Sequence, residues 1–219
     1  MRITPDLIAG SPQFTNPIKD REIKLRAYKI PAIENLGATQ DQFDTIDLSD
    51  NEIRKLENFP LLKRLKTLLL SNNLIFRVGD DLKDSLPNVH TIMLANNSLL
   101  NLSDLKPFAN LPALRRLVLS DNNVTKQPNY RLYVIKLLPE LLVLDFKKVK
   151  PAERQAATKL FANGMNGVEE SKGPSKEQIS AIKAAIQNAK TLEEVNKLEA
   201  QLKATGGADI DPKAGMDLD

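Results

Sequence analysis

The sequence predicts an α/β solenoid, a curved stack of short parallel β-strands whose sheet lines the concave side. Helices cap it at both ends, and a helical hairpin follows at the C-terminus on a flexible linker. Three observations predict this. One motif recurs four times between Phe43 and Val124, worn copies of it flank the run, and the composition changes abruptly at Ala162.

A fixed period decides the architecture, because each unit can bury its apolar face only against the next. Phe43-x-x-Ile46-x-Leu48-x-x-Asn51-x-Ile53-x-x-Leu56 returns as Leu65-x-x-Leu68-x-Leu70-x-x-Asn73-x-Ile75-x-x-Val78. It returns again as Val89-x-x-Ile92-x-Leu94-x-x-Asn97-x-Leu99-x-x-Leu102 and as Leu114-x-x-Leu117-x-Leu119-x-x-Asn122-x-Val124, with starts 22, 24 and 25 residues apart. These are the framework positions of the leucine-rich repeat, so the fold expected is a leucine-rich-repeat solenoid with a parallel β-sheet on the concave face. Upstream, Ile23-x-Leu25-x-x-Tyr28-x-Ile30-x-x-Ile33 keeps the spacing with Tyr28 in place of Asn; downstream, Leu141-x-x-Leu144-x-Phe146 stops before its turn. Terminal repeats depart from the pattern because they must close the stack.

Within each short strand, alternate side chains point to opposite faces. The framework leucines are therefore expected in the core and the residues between them on the concave surface. The Asn that follows is expected beneath the turn, where its amide donates to and accepts from backbone groups that the bend leaves unpaired. Each such group left orphaned would cost ~1–3 kcal/mol. Asn51, Asn73, Asn97 and Asn122 are read as structural.

A helix is expected over 128–138 on the convex side, ending at Pro139, and a second from Pro151 to Phe161, Pro being well placed at a first helical position. The N-terminal segment, with Pro5, Leu7, Ile8, Phe14 and Pro17, is expected to cover the other end. Residues 1–161 thus form the repeat domain. Residues 162–174, with three glycines and no apolar period, read as a linker. The capping boxes Ser175-x-x-Gln178 and Thr191-x-x-Glu194 open a hairpin over 175–205, with Ile179, Ile182 and Ile186 on one helix and Leu192, Val195, Leu198 and Leu202 on the other. Two such helices bury too little to stand alone, so they are expected to dock on a partner. Residues 206–219 read as a disordered acidic tail.

Composition narrows the chemistry. Among 219 residues there is no Cys and one His, which excludes a disulfide-stapled domain, a Cys-based zinc site and a thiol nucleophile. His90 has no second His to complete a metal site or dyad, and no phosphate-cradling glycine loop or nucleophile elbow occurs. Carboxylates such as Asp47, Asp50 and Glu52 straddle a strand and its turn without a calcium-loop pattern. The expectation is a protein that is no enzyme, with no cofactor, no metal, no membrane and no small-molecule substrate. The start of the chain lacks the layout of a signal peptide, and no run of 18 apolar residues occurs, so a soluble intracellular protein is expected.

What remains is binding. The middle positions of successive strands read Lys24, Asp47, Leu69, Met93, Val118 and Asp145, with Arg26, Arg116 and small side chains such as Thr67, Ser71 and Ala95 beside them. Three consecutive apolar side chains facing water and rimmed by charge suit an inserted helix. Charge is also uneven: residues 126–161 carry 8 basic and 3 acidic groups, whereas residues 1–125 carry 16 and 15. Lys147, Lys148, Lys150 and Arg154 head that stretch and are candidate RNA contacts.

Several stretches are not dictated by the repeat. Tyr28-Lys29-Ile30-Pro31-Ala32-Ile33-Glu34-Asn35-Leu36-Gly37-Ala38-Thr39, Asp41-Gln42-Phe43-Asp44-Thr45-Ile46-Asp47, Tyr130-Arg131-Leu132-Tyr133-Val134-Ile135 and Val143-Leu144-Asp145-Phe146 resemble the leucine-rich-repeat family of the spliceosomal U-two small nuclear ribonucleoprotein. The resemblance implies a nuclear scaffold in pre-mRNA splicing whose concave face holds a helix of an RNA-recognition-motif partner, B-double-prime. The pair would grip a stem-loop of the U-two small nuclear RNA, with other spliceosomal proteins meeting the C-terminal hairpin. On this view Lys24, Arg26, Asp47, Leu69, Met93, Arg116, Val118 and Asp145 bind the partner. The repeat alone also fits a phosphatase-targeting or axonemal-motor subunit without an RNA role; the lysine cluster is what such a subunit has no need of.

Overall fold

The computed structural model describes residues 1–162, so the expected hairpin and acidic tail lie outside the described residues, as does all but the first residue of the linker. Helix α1 (Pro5–Gly10) opens the chain, with Pro5 at its first position and the Thr4 hydroxyl accepting from the Leu7 N–H at 3.1 Å. The strands β1 (Gln13–Thr15) and β2 (Arg21–Lys24) then form an antiparallel hairpin. Five parallel strands follow β2 in the sheet: β3 (Thr45–Asp47), β5 (Thr67–Leu69), β7 (Thr91–Met93), β8 (Arg116–Val118) and β9 (Val143–Leu144). A second small sheet pairs β4 (Lys55–Leu56) with β6 (Arg77–Val78) on the flank. The helical turn α2 (Leu82–Ser85) and 3-10 turns at Leu36–Thr39, Leu102–Asn110 and Asn123–Lys126 carry the chain back along the convex side. Helix α3 (Tyr130–Leu137), the strand β10 (Lys147–Lys148) and helix α4 (Pro151–Leu160) close the C-terminal end.

The register is the one the repeat demands. Ile23, Ile46, Leu68, Ile92, Leu117 and Leu144 pair in one row across the sheet, and each is at most 1% exposed. The rows on either side face the concave surface. At the expected ~25 cal/mol per Å² of apolar area, burial of this row and its neighbours is the main stabilising contribution.

Each framework Asn joins two repeats. Asn73 accepts from the Ile53 N–H at 3.0 Å and donates to the Leu48 and Leu70 carbonyls, both at 3.0 Å. Asn97 repeats the pattern with Ile75, Leu70 and Leu94, and Asn122 with Leu99, Leu94 and Leu119. Asn51 accepts from both the Tyr28 and Ile30 N–H groups, so it serves the repeat in which Tyr28 replaced the Asn.

Both ends are covered, although Phe14, expected to help cover the N-terminal one, is 37% exposed on β1. Ile3 and Ile8 are buried at the N-terminal end, where β1 lies on the edge of β2. At the C-terminal end Tyr133 packs edge-on against Phe161 with ring centroids 5.9 Å apart.

Candidate partner and nucleic-acid interface

Asp47, Leu69, Met93 and Val118 stand side by side on four adjacent strands. Leu69 and Met93 are half-buried, and Thr67, Ser71 and Ala95 beside them leave room for an inserted element. Val118 departs from the expected water-facing stripe, since it is only 3% exposed. Met93 flanks it on one side. On the other, Asp145 is tied to the backbone around it, donating its N–H to the Leu117 carbonyl and accepting at 2.7 Å from the Leu119 N–H. The accessible apolar stripe is therefore Leu69 and Met93.

The charged rim is partly committed. Asp47 is buried and its carboxylate accepts from the Ser49 N–H at 2.9 Å. The Lys24 ammonium sits over the Phe14 ring at 4.8 Å from its centroid, a cation–π contact. Arg26 pairs with Asp50, whose carboxylate accepts from Asn72 at 2.6 Å, and Asn72 accepts in turn from Asn96 at 3.0 Å. This polar ladder runs along one margin of the concave face, at positions the framework consensus leaves open. Its signal is present in the sequence: the residue before each framework Asn is Asp50, Asn72, Asn96 or Asp121, and all four have positive φ, which Asn and Asp tolerate best. Arg116 is exposed and has no ion-pair partner among the described residues.

At the other end of the strands lies a second charged group. Asp44 is buried and accepts from the Arg21 N–H at 2.9 Å, from Arg64 at 2.9 Å and from the Lys66 ammonium at 3.1 Å. Burial pushes its carboxyl up, but the Arg64 guanidinium, the Arg21 N–H and Lys66 outweigh burial and hold it at about 2. His90 is exposed.

The C-terminal edge differs from the expectation in three ways. The last parallel strand, β9, ends at Leu144, and Asp145 and Phe146 both take positive φ, 48° and 62°. They are the two central residues of a tight hairpin that sends β10 back antiparallel to β9, with Lys147 opposite Leu144 and Lys148 opposite Val143. Asp145 therefore leaves the concave row for a structural role, its second oxygen accepting from the Tyr130 hydroxyl at 2.9 Å. Lys147, which the alternation of the last repeat would also set on the concave face, lies instead on β10. Phe146, a framework position by spacing, is 70% exposed, whereas its counterparts Leu48, Leu70, Leu94 and Leu119 are all 0% exposed.

Arg154 is also committed, its guanidinium donating to the Pro139 and Leu141 carbonyls. It serves the cap. Lys147, Lys148 and Lys150 are exposed and carry no ion pair among the described residues. Beneath them Arg131 donates to Glu153 at 2.7 Å and to the Leu144 carbonyl at 3.1 Å, and Glu153 accepts from the Lys150 N–H at 2.8 Å. The Arg131 guanidinium, with the Lys150 N–H, holds the Glu153 carboxyl at about 2.

The comparisons with known proteins point one way. A family model described as leucine-rich repeat matches residues 1–172. The U2 small nuclear ribonucleoprotein A' of Arabidopsis thaliana is 51% identical over 225 residues, covering 93% of this chain and 90% of that protein. The chain belongs to the U2 small nuclear ribonucleoprotein A' family. The Homo sapiens member is 48% identical over 226 residues, covering 93% of this chain and 88% of its own length. Among solved structures, the Drosophila melanogaster SNF/U2A' complex superposes with a TM-score of 0.73 at 47% identity, covering 84% of this chain and 99% of the solved one. This leucine-rich-repeat protein is thus a relative of splicing components of the U2 particle, and its solenoid is the fold of that family.

Proposed function

We infer that this chain is a non-catalytic nuclear scaffold of the U2 small nuclear ribonucleoprotein. Its concave face captures a helix of an RNA-recognition-motif partner of the B-double-prime kind, and its basic C-terminal edge helps that partner hold a U2 small nuclear RNA stem-loop. The observation that carries the reading is the pair Leu69 and Met93, half-exposed on a concave sheet among Thr67, Ser71 and Ala95 and bordered by charge. Apolar side chains set among small ones accept a convex apolar element from outside, and a helix fits that curvature. The Drosophila relative, solved as a complex with SNF, supports reading this solenoid as protein-binding.

Burying Met93 under a partner contributes ~1.5–3 kcal/mol, and a carboxylate there adds an unpaired buried charge. Met93→Glu is therefore expected to abolish capture of the purified partner in a titration while leaving circular dichroism and melting temperature close to wild type. Unchanged capture would overturn the concave-face reading.

A further inference from the structure

We propose that Phe146 is a stacking platform for an unpaired RNA base, presented at the tip of the β9–β10 hairpin immediately before Lys147, Lys148 and Lys150. The turn it occupies shows why. A two-residue hairpin turn with positive φ at both central positions favours Asn or Asp first and Gly second. Asp145 suits the first position; Phe146 stands where Gly belongs, at φ 62°. A bulky side chain in that conformation is strained. Strain of this kind is retained where something repays it, and among the described residues nothing does. The ring is 70% exposed, so it contributes little to the core that its four leucine counterparts fill.

The surroundings select the ligand. Three lysines without ion pairs among the described residues lie within four positions of the ring. An apolar protein surface set on Phe146 would have to desolvate those ammonium groups, which is costly. A nucleic-acid strand meets both demands at once, its phosphates pairing with the lysines and one base lying on the aromatic face. The backbone needs no further change, because the hairpin already holds the ring outward.

The proposal rests on the reading that this chain and its partner hold RNA together, and the test separates the two. The full chain with its partner is titrated with the U2 small nuclear RNA stem-loop at several salt concentrations. Phe146→Gly is expected to raise the melting temperature of the free chain, by relieving the turn, and to weaken RNA binding about tenfold with an unchanged salt slope. Replacing Lys147, Lys148 and Lys150 by Glu is expected instead to flatten that slope. Phe146→Trp supplies a fluorophore in a chain with no Trp of its own, and its emission is expected to be quenched when the stem-loop binds. Wild-type RNA affinity in Phe146→Gly, or partner capture weakened without RNA present, would overturn the stacking proposal. Should the wild-type pair bind the stem-loop no more tightly than the partner alone, the RNA reading itself fails, and the stacking proposal with it.

Discussion

At the end of each central strand one buried amide satisfies backbone groups of two repeats, as Asn73 does for Ile53, Leu48 and Leu70; at the end of the last strand a carboxylate, a phenol and a guanidinium share that work. The central solution is neutral and identical from repeat to repeat. The terminal one is charged and assembled from three elements, with Asp145 meeting Tyr130 and Leu119 while Arg131 ties the Leu144 carbonyl to Glu153. The difference teaches what each region is for. A repeating unit needs only to stack, so it uses the cheapest neutral device. The edge must stop the sheet and still present lysines and a ring to solvent, so its own charges are paired beneath the surface and the unpaired ones stand outside.

The largest expected effect tests the central device. Asn73→Ala leaves the Ile53 N–H without its buried acceptor, while the Leu48 and Leu70 carbonyls lose one donor each and keep those of Asn51 and Asn97. With the orphaned N–H costing ~1–3 kcal/mol and each of the two lost carbonyl bonds ~0.5–1.5 kcal/mol, the repeat domain is expected to lose about 3 kcal/mol in urea unfolding. A loss below about 1 kcal/mol would show that neighbouring backbone or water replaces the amide, and that the repeat does not depend on it.

The second prediction uses acid to separate the two regions. The amide ladder does not titrate, but Asp44 and Glu153 do. Both carboxyls lie lower in the folded chain, at about 2, than their ordinary values of 3.8 and 4.5. Their stabilising contribution is therefore complete above the ordinary values and is lost as pH falls toward 2. For buried Asp44 that contribution is on the order of 2 kcal/mol; the half-exposed Glu153 contributes less. Denaturant midpoints measured from pH 7 to pH 2 should hold steady to about pH 5 and then fall. Glu153→Gln should flatten part of that fall and Asp44→Asn a larger part. A midpoint that stays level to pH 3 would refute the assignment of charge-dependent stability to these sites.

The same contrast explains how much of the molecule was legible in the sequence. The spacing of Leu68, Leu70 and Asn73 dictates the strand, its inward face and its turn, because each residue's partner lies at a fixed offset in the next repeat. Helix α4 was legible from Pro151 for the same local reason. Phe146 was not, since spacing alone makes it a core position and the turn that ejects it carries Asp-Phe where a hairpin would announce itself with Asp-Gly. Val118 likewise stands where the alternation expects a water-facing residue, yet it is only 3% exposed. Arg154 reads as a surface cation until the fold brings it against the Pro139 and Leu141 carbonyls. In the candidate site, what depended on the period was readable, and what depended on how the period ends was not.

The smallest expected effect concerns a single hydroxyl at the edge. Tyr130 is buried, and its O–H donates to Asp145 at 2.9 Å. Burial and the adjacent carboxylate push its ionisation well up, so it remains a donor across the range in which the protein is handled. Tyr130→Phe keeps the ring and its packing but removes that bond, leaving Asp145 its contact with the Leu119 N–H and access to water. A hydrogen bond replaced in this way costs about 1 kcal/mol. In an Asp145→Ala background the same change should cost almost nothing, because the two residues act as one unit and their effects do not add. Additive losses would mean that Tyr130 stabilises helix α3 on its own, and that Asp145 keeps its turn through the Leu119 N–H alone.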